Sequence, residues 1–383
     1  MFEPFSYLER LVALRKSIVD SKLSDYPAEY RNKPHFVSAT LSHLLPGVDR
    51  SRHFELTREI LFHQQWSALD ERSFFLPETT NVVDHDNAIA GAVGGKAVIF
   101  CTFHVGSYRL LNTLLTRAGA KFALVIDERT MREQGAKFEQ LHRDVQEAYG
   151  SDSEFTLLNA EESNMGLRAL RLLKKGTSLL FYIDGNTGVG GVNRRDDHMV
   201  RVELLGKTIF ARRGVAFLSH VARVPVVPVV CERTGWLSRT LTVDPAIDPT
   251  ATPDREAFCR EATQRLFDIL GSYLARVPEQ WEGWFYLYRF LDTDALAGPD
   301  DAADAGPLGE QEVLRFNDDR YVLLQHPKVP ILFDRMTYRC VPLSNPLHEL
   351  LMSFREAKRT VTDAALAALV GRGILRRQSA AGA

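Results

Sequence analysis

The 383-residue sequence holds only four cysteines, Cys101, Cys231, Cys259 and Cys340, and none sits in a CxxC pair or at a metal-ligand spacing. That excludes a disulfide-stapled scaffold and the common zinc modules. Cys101 and Cys231 fall in apolar, β-rich stretches, where a small buried residue is expected, and a reducing compartment fits. No stretch approaches the roughly 20 apolar residues that a membrane-spanning helix needs. The segment Met1 to Lys22 carries charges throughout and lacks the continuous apolar core of a secretory signal, so the expected location is the cytoplasm. A formal net charge of −2 provides no bulk attraction to nucleic acid or to anionic lipid. No nucleic-acid partner is expected, and any phosphate must be held by a local cluster. P-loop and dinucleotide fingerprints are missing, as are internal repeats.

What is present is the composition of a folded protein, 45% hydrophobic and 25% charged, long enough for one large domain and a small one. Residues 1 to about 80 read as a helical lead-in. Its first segment places Phe5, Leu8, Leu11 and Val12 near one face at helical spacing. Packing on the domain's own core is the expected use of that face. Peripheral contact with the inner face of the membrane is the alternative.

From Lys96 the pattern changes to alternating strands and helices. Strands are expected at 97–102, 122–126, 154–158, 178–183 and 226–230, with helices from Tyr108, from Met131 to Tyr149, from Met165 to Lys175 and from Arg213 to Val221. A hairpin around Gly206 joins Val202-Glu203-Leu204-Leu205 to Lys207-Thr208-Ile209-Phe210. This order argues for an α/β fold with a mainly parallel sheet flanked by helices, whose sites lie at the C-terminal ends of strands. An Ala-, Asp-, Gly- and Pro-rich stretch at 293–311 reads as a linker between a domain at 1–292 and a small α+β module at 312–383. In the module, strands are expected at 313–316 and 321–324, and helices at 346–354 and 363–370.

Three features carry chemistry. His104-Val105-Gly106-Ser107-Tyr108-Arg109 directly follows a buried strand. A histidine there can act as a general base on a hydroxyl or amine that attacks a thioester or ester carbonyl, or it can be structural. Asp184 ends a second strand, before Gly185 and Asn186, and reads either as a partner that orients His104 or an acceptor group, or as a cap. The glycine-rich run 188–191 reads as a flexible loop or as a cradle for a phosphate or pantetheine chain. Lys207, Arg212 and Arg213 form a basic run at a hairpin-to-helix junction, suited either to phosphate or to plain solvation.

Taken in order, several segments resemble the lipid A biosynthesis branch of the lysophospholipid acyltransferase superfamily, from about Tyr30 to Leu291. They are Tyr30-Arg31-Asn32, Leu45-Pro46-Gly47-Val48, Phe103-His104-Val105-Gly106, Val125-Ile126-Asp127-Glu128-Arg129, Ile183-Asp184, Val202 to Thr208, Val224 to Val229, Gln280-Trp281 and Tyr288-Arg289-Phe290. The resemblance implies transfer of an acyl group from a phosphopantetheine-linked thioester, on acyl carrier protein or coenzyme A, to a hydroxyl or amine, with no metal or redox cofactor. It casts His104 as base, with Asp184 and Arg129 as further catalytic residues. Arg109, Asn186, Lys207, Arg212 and Arg213 become substrate-binding candidates. The tail from Val313 to Leu375 resembles, more loosely, winged-helix-like peptide-binding modules of peptide-modifying pathways.

One position departs from the pattern. The family places Asp or Glu five residues after the histidine, and here that position is Arg109, which is expected to lower the histidine's pKa and to remove its counter-ion. Either another acid, such as Asp184 or Asp127, substitutes, or the reaction needs less help, least of all with an amine acceptor on an activated thioester, or catalysis has been lost. The acceptor stays open between a small molecule, a peptide and a lipid, in a setting such as specialised metabolism. A catalytically degenerate protein that binds a carrier or a peptide, and a thioesterase, are the competing readings.

Overall fold

A computed structural model describes residues 3–21, 28–185, 198–296, 312–324, 326, 328–357, 359–361 and 366–377. The chain divides into two units, Met1–Lys22 with Leu44–Leu291, and Leu23–His43 with Asp292–Ala383.

In chain order the elements begin with helices α1 (Pro4–Ile18), α2 (Ala28–Arg31), α3 (Lys33–Leu44) and α4 (His53–Asp70). Then come β1 (Thr80–Asp84), α5 (Ala88–Val93), β2 (Ile99–Gly106), α6 (Leu110–Arg117), β3 (Lys121–Ile126), α7 (Glu128–Tyr149), β4 (Glu154–Asn159), α8 (Met165–Lys174) and β5 (Ser178–Tyr182). A hairpin of β6 (Met199–Leu204) and β7 (Lys207–Arg212) precedes α9 (Gly214–Ala222), β8 (Val226–Arg233), β9 (Arg239–Val243) and α10 (Arg255–Leu274). The remainder comprises α11 (Thr293–Leu296), β10 (Glu312–Phe316), β11 (Tyr321–Leu324), β12 (Ile331–Asp334), β13 (Cys340–Pro342), α12 (Asn345–Glu356), β14 (Arg359–Val361), α13 (Ala367–Gly371) and β15 (Leu375–Arg377).

The first unit is built on a seven-stranded sheet in the order β1-β9-β8-β2-β5-β3-β4. Every neighbouring pair is parallel except β8 and β9, which run antiparallel. Strands covered on both faces read as continuous apolar runs, and β2 buries Ile99, Phe100 and Cys101 completely. Because β2, β5 and β3 are adjacent and parallel, residues at their C-terminal ends emerge along one edge of the sheet. Of the apolar face expected on α1, Leu11 packs into the core beside Tyr7 and Ile18, while Phe5 and Val12 stay exposed. Among the described residues no helix is long and apolar enough to cross a membrane.

The second unit holds two three-stranded sheets, β14-β10-β15 and β11-β12-β13. Residues 23–43, read from sequence as part of the lead-in, group with this unit. Ala39 is packed with Val322, Leu324 and Phe333, and Ser38 and Thr40 bond to Arg335 and Tyr338. Of the stretch read as a linker, Thr293–Leu296 forms a helical turn and 297–311 lie outside the described residues.

Candidate active site

His104 projects from β2 at an irregularity. The β2–β8 pairing is regular through Thr102 and resumes with Gly106 opposite Cys231, with a register shift between. Extra residues of this kind re-aim side chains beside active sites. The loop is fastened on both flanks. Val105 forms a backbone bridge to Trp281, and the Ser107 N–H donates to the Cys231 carbonyl at 2.8 Å. Gly106 has φ +60°, and a Cβ there would lie 2.2 Å from the Cys231 oxygen, so only glycine fits.

Asp184, in a short turn after β5, meets this loop with both oxygens. Oδ1 is 2.8 Å from His104 Nδ1, and Oδ2 accepts the His104 main-chain N–H at 2.9 Å and the Trp281 indole N–H at 2.7 Å. The carboxylate side chain is 1% exposed and the imidazole 20%. Tyr182 stacks on the imidazole at 5.0 Å and Tyr108 meets it edge-on at 4.8 Å. With Nδ1 committed to Asp184, Nε2 is the nitrogen left for a substrate.

Burial by itself would push the His104 pKa down. The negative charges of Asp184 and then Glu282, with the Asp184 hydrogen bond, outweigh it and raise the pKa to about 9. Asp184 is also pushed up by burial, but the charge and hydrogen bonds of His104 and the Trp281 N–H bring it below the ordinary carboxylate value. The expectation that Arg109 would strip the histidine of its counter-ion and lower its pKa is therefore overturned. Arg109 does act downward on His104, but more weakly than the charges of Asp184 and Glu282 act upward. Its guanidinium is turned to Glu71, whose two oxygens both lie 3.0 Å from Nη1.

A cavity of about 770 Å³ opens beside His104. Its wall is apolar along Val125, Ile126, Phe138, Met165, Phe181 and Phe217. The helix α7 contributes Thr130, Gln134 and Phe138, which share one face with the Asp127 cap. Arg109, Arg212 and Arg213 also line the cavity, the last ion-paired with Glu256. The structure does not bring Arg129 here. It lies off that face of α7, 78% exposed and paired with Glu133 at 3.0 Å. Lys207 opens β7 opposite Leu204 and is not on the wall. Asn186 and the glycine-rich run after it lie outside the described residues.

Sequence reasoning missed two parts of this region. Glu282 lines the cavity on the turn that follows Trp281, next to a segment already notable for its aromatic density. Beneath the His104 loop, Asp70 is fully buried between two arginines. Arg233 Nη2 donates to it at 2.7 Å, Arg239 Nη2 at 2.9 Å, Ser107 Oγ at 2.6 Å and the Tyr7 hydroxyl at 2.7 Å. Burial works to raise the Asp70 pKa, but the arginine charges hold it at about 2. Ser67 completes the mesh by donating to the Gly106 carbonyl at 3.1 Å while accepting from Arg233 at 3.0 Å. Arginines this far into a sheet-rich stretch, at 233 and 239, were the available signal, because buried charges require partners.

The histidine–carboxylate pair thus stands at the C-terminal edge of the parallel sheet and opens on a cavity with an apolar wall and several arginines. The family of bacterial lipid A biosynthesis acyltransferases matches residues 78–291, more than half of the sequence, and the chain belongs to that family. The protein is accordingly an acyltransferase of the lipid A biosynthesis type. The matched span starts later than the resemblance read from Tyr30. Among solved structures, the 1-acyl-sn-glycerophosphate acyltransferase PlsC from Thermotoga maritima is similar at 14% identity, over 65% of this chain and 99% of that one, with a TM-score of 0.34. No curated protein matches the sequence.

Proposed function

We propose that the protein moves an acyl group from a phosphopantetheine-linked thioester, carried by acyl carrier protein or coenzyme A, to a hydroxyl or amine. His104 is the base and Asp184 the carboxylate that orients it. The observation carrying this reading is the 2.8 Å contact between Asp184 and His104 Nδ1, which commits one ring nitrogen and presents the other to a cavity wide enough for an acyl chain and a reacting partner. Membership of the family supports an acyl donor and a lipid acceptor. The apolar wall suits a hydrocarbon chain, and Arg212 and Arg213 suit a phosphate of either substrate.

In the reaction, the acceptor attacks the carbonyl carbon, Nε2 takes the proton released, and the same proton passes to the departing sulfur. Asp184 stabilises the imidazolium while it exists. Near neutral pH the resting ring is already protonated, so turnover runs through the minor neutral form. Arg109, the feature that favoured a binding protein without catalysis, is occupied by Glu71 and leaves the pair of His104 and Asp184 intact.

The reading is tested by offering acyl-coenzyme A and acyl-carrier thioesters with panels of acceptors and following products by mass spectrometry. His104→Ala is expected to slow transfer by about 10²- to 10⁴-fold. Full turnover in that variant overturns the assignment.

A further inference from the structure

The carboxylate of Glu282 stands at the cavity wall beside His104, Tyr108 and Arg109. Its backbone is fixed by its neighbours, since Trp281 is 1% exposed and Gly283 packs so closely on the Trp281 ring that a Cβ would lie 2.2 Å from it. Yet the carboxylate itself is poorly satisfied. The Tyr108 hydroxyl reaches one oxygen at 3.4 Å, long for such a bond, and the other accepts from no described residue. No ion pair joins it to a lysine or arginine among the described residues, and of the arginines on the same cavity Arg109 is engaged by Glu71 and Arg213 by Glu256. A half-buried carboxylate left this way in a substrate cavity offers a bound group an acceptor that no protein donor competes for closely. Tyr108, the residue whose hydroxyl reaches it, also carries the Arg109 guanidinium 5.6 Å from its ring centroid, so this side of the cavity already accommodates a cation.

We infer that Glu282 binds the acceptor, and that the acceptor it fits is a primary amine docked as its ammonium. The inference rests on the acyl-transfer reading of His104 and narrows its acceptor from hydroxyl or amine to amine. The docked ammonium releases one proton to solvent. The resulting amine attacks the thioester carbonyl, the C–N bond forms and the C–S bond breaks, and the second proton moves through His104 Nε2 to the thiolate. The products are an amide, a thiol and one released proton. A cation beside Glu282 also offsets one of the two negative charges that hold His104 protonated, which favours the neutral base when the acceptor is in place.

The test uses the full chain, octanoyl-coenzyme A as donor, and phenethylamine and 2-phenylethanol as acceptors of matched shape. Amide is expected to form with a kcat/KM at least about tenfold above that for ester, since an unpaired carboxylate discriminates between an ammonium and a hydroxyl. Glu282→Gln is expected to raise the amine KM by about 10- to 100-fold, the loss of one charge-assisted contact, and Glu282→Asp to recover part of it. Ester formed as readily as amide, or an unchanged amine KM in Glu282→Gln, overturns the inference and leaves acyl transfer at His104 standing. Thiol release that His104→Ala does not slow, or a donor that is never consumed, overturns the acyl-transfer reading and the inference with it.

Discussion

Asp184 grips His104 at two points, taking the ring Nδ1 on one oxygen and the main-chain N–H on the other. A single contact would orient the ring and leave the loop free to slide. The double contact fixes where the imidazole starts and which way it faces, and it couples the basicity of the ring to a buried charge.

That coupling sets a pH dependence. The His104 pKa is raised from 6.5 to about 9, so kcat/KM is expected to climb with pH and level off near 9, where the ring becomes neutral. In Asp184→Asn the ascending limb is expected to move toward lower pH, while the rate on the plateau falls by about 10²- to 10⁴-fold as orientation and charge stabilisation are lost. For stability the sign is the reverse. A pKa raised on folding contributes stability that is fully present below pH 6.5 and lost as pH rises through about 9. A pH–rate profile of both proteins checks the first claim, and urea unfolding at two pH values the second.

Restoring the acid that the family carries five residues after the histidine is not expected to help. In Arg109→Glu the new carboxylate would face Glu71 across the space the guanidinium now fills. A loss of roughly 3 kcal/mol is expected from breaking this largely buried pair. Urea unfolding and kcat measured side by side decide the matter, and a variant faster than the parent would show that Asp184 is not the working counter-ion.

Trp281 is held on edge by the absence of a side chain at 283. Gly283→Ala is expected to push the indole away from Asp184, and Trp281→Phe to delete its N–H outright. Each should cost about 2 kcal/mol, the worth of a hydrogen bond to a charged group. Both variants should lower kcat more than they raise KM. Steady-state kinetics with a saturating donor separates the two parameters, and an unaltered kcat in Trp281→Phe would mean that the indole only fills space.

Asp70→Asn leaves Arg233 and Arg239 buried with no negative partner. A destabilisation of about 3–5 kcal/mol is expected, as for other broken buried pairs. Thermal and urea unfolding measure it. A change near zero would mean that the arginines relax toward water.

The strands ending at His104 and Asp184 were legible because parallel strands covered on both faces are continuous apolar runs, and a polar residue at their end stands out. The hairpin 202–210 was legible from its turn, and the helix read over 131–149 starts earlier, at Glu128. What stayed hidden depended on distance in sequence. The partner of Arg109 is Glu71, just past the end of α4, and the ions around Asp70 come from β8 and β9, which no local pattern joins to α4. Arg129 is the instructive case. The spacing of Asp127, Thr130, Gln134 and Phe138 already marks one face of the helix, and Arg129 falls off it. The resemblance to a motif outweighed a periodicity that pointed the other way. The placement of α3 eluded the reading for a related reason, since the apolar residues of a helix do not announce which core they will join.

The hydroxyl of Tyr7 belongs to the same buried mesh, bonding Asp70, the Trp66 indole and Arg239. The helix α1 is thus wired to the charges under the His104 loop. Trimming the chain past residue 7 would take one donor from Asp70 and one acceptor from Arg239, and leave the ionic interior beneath the His104 loop short of a lid.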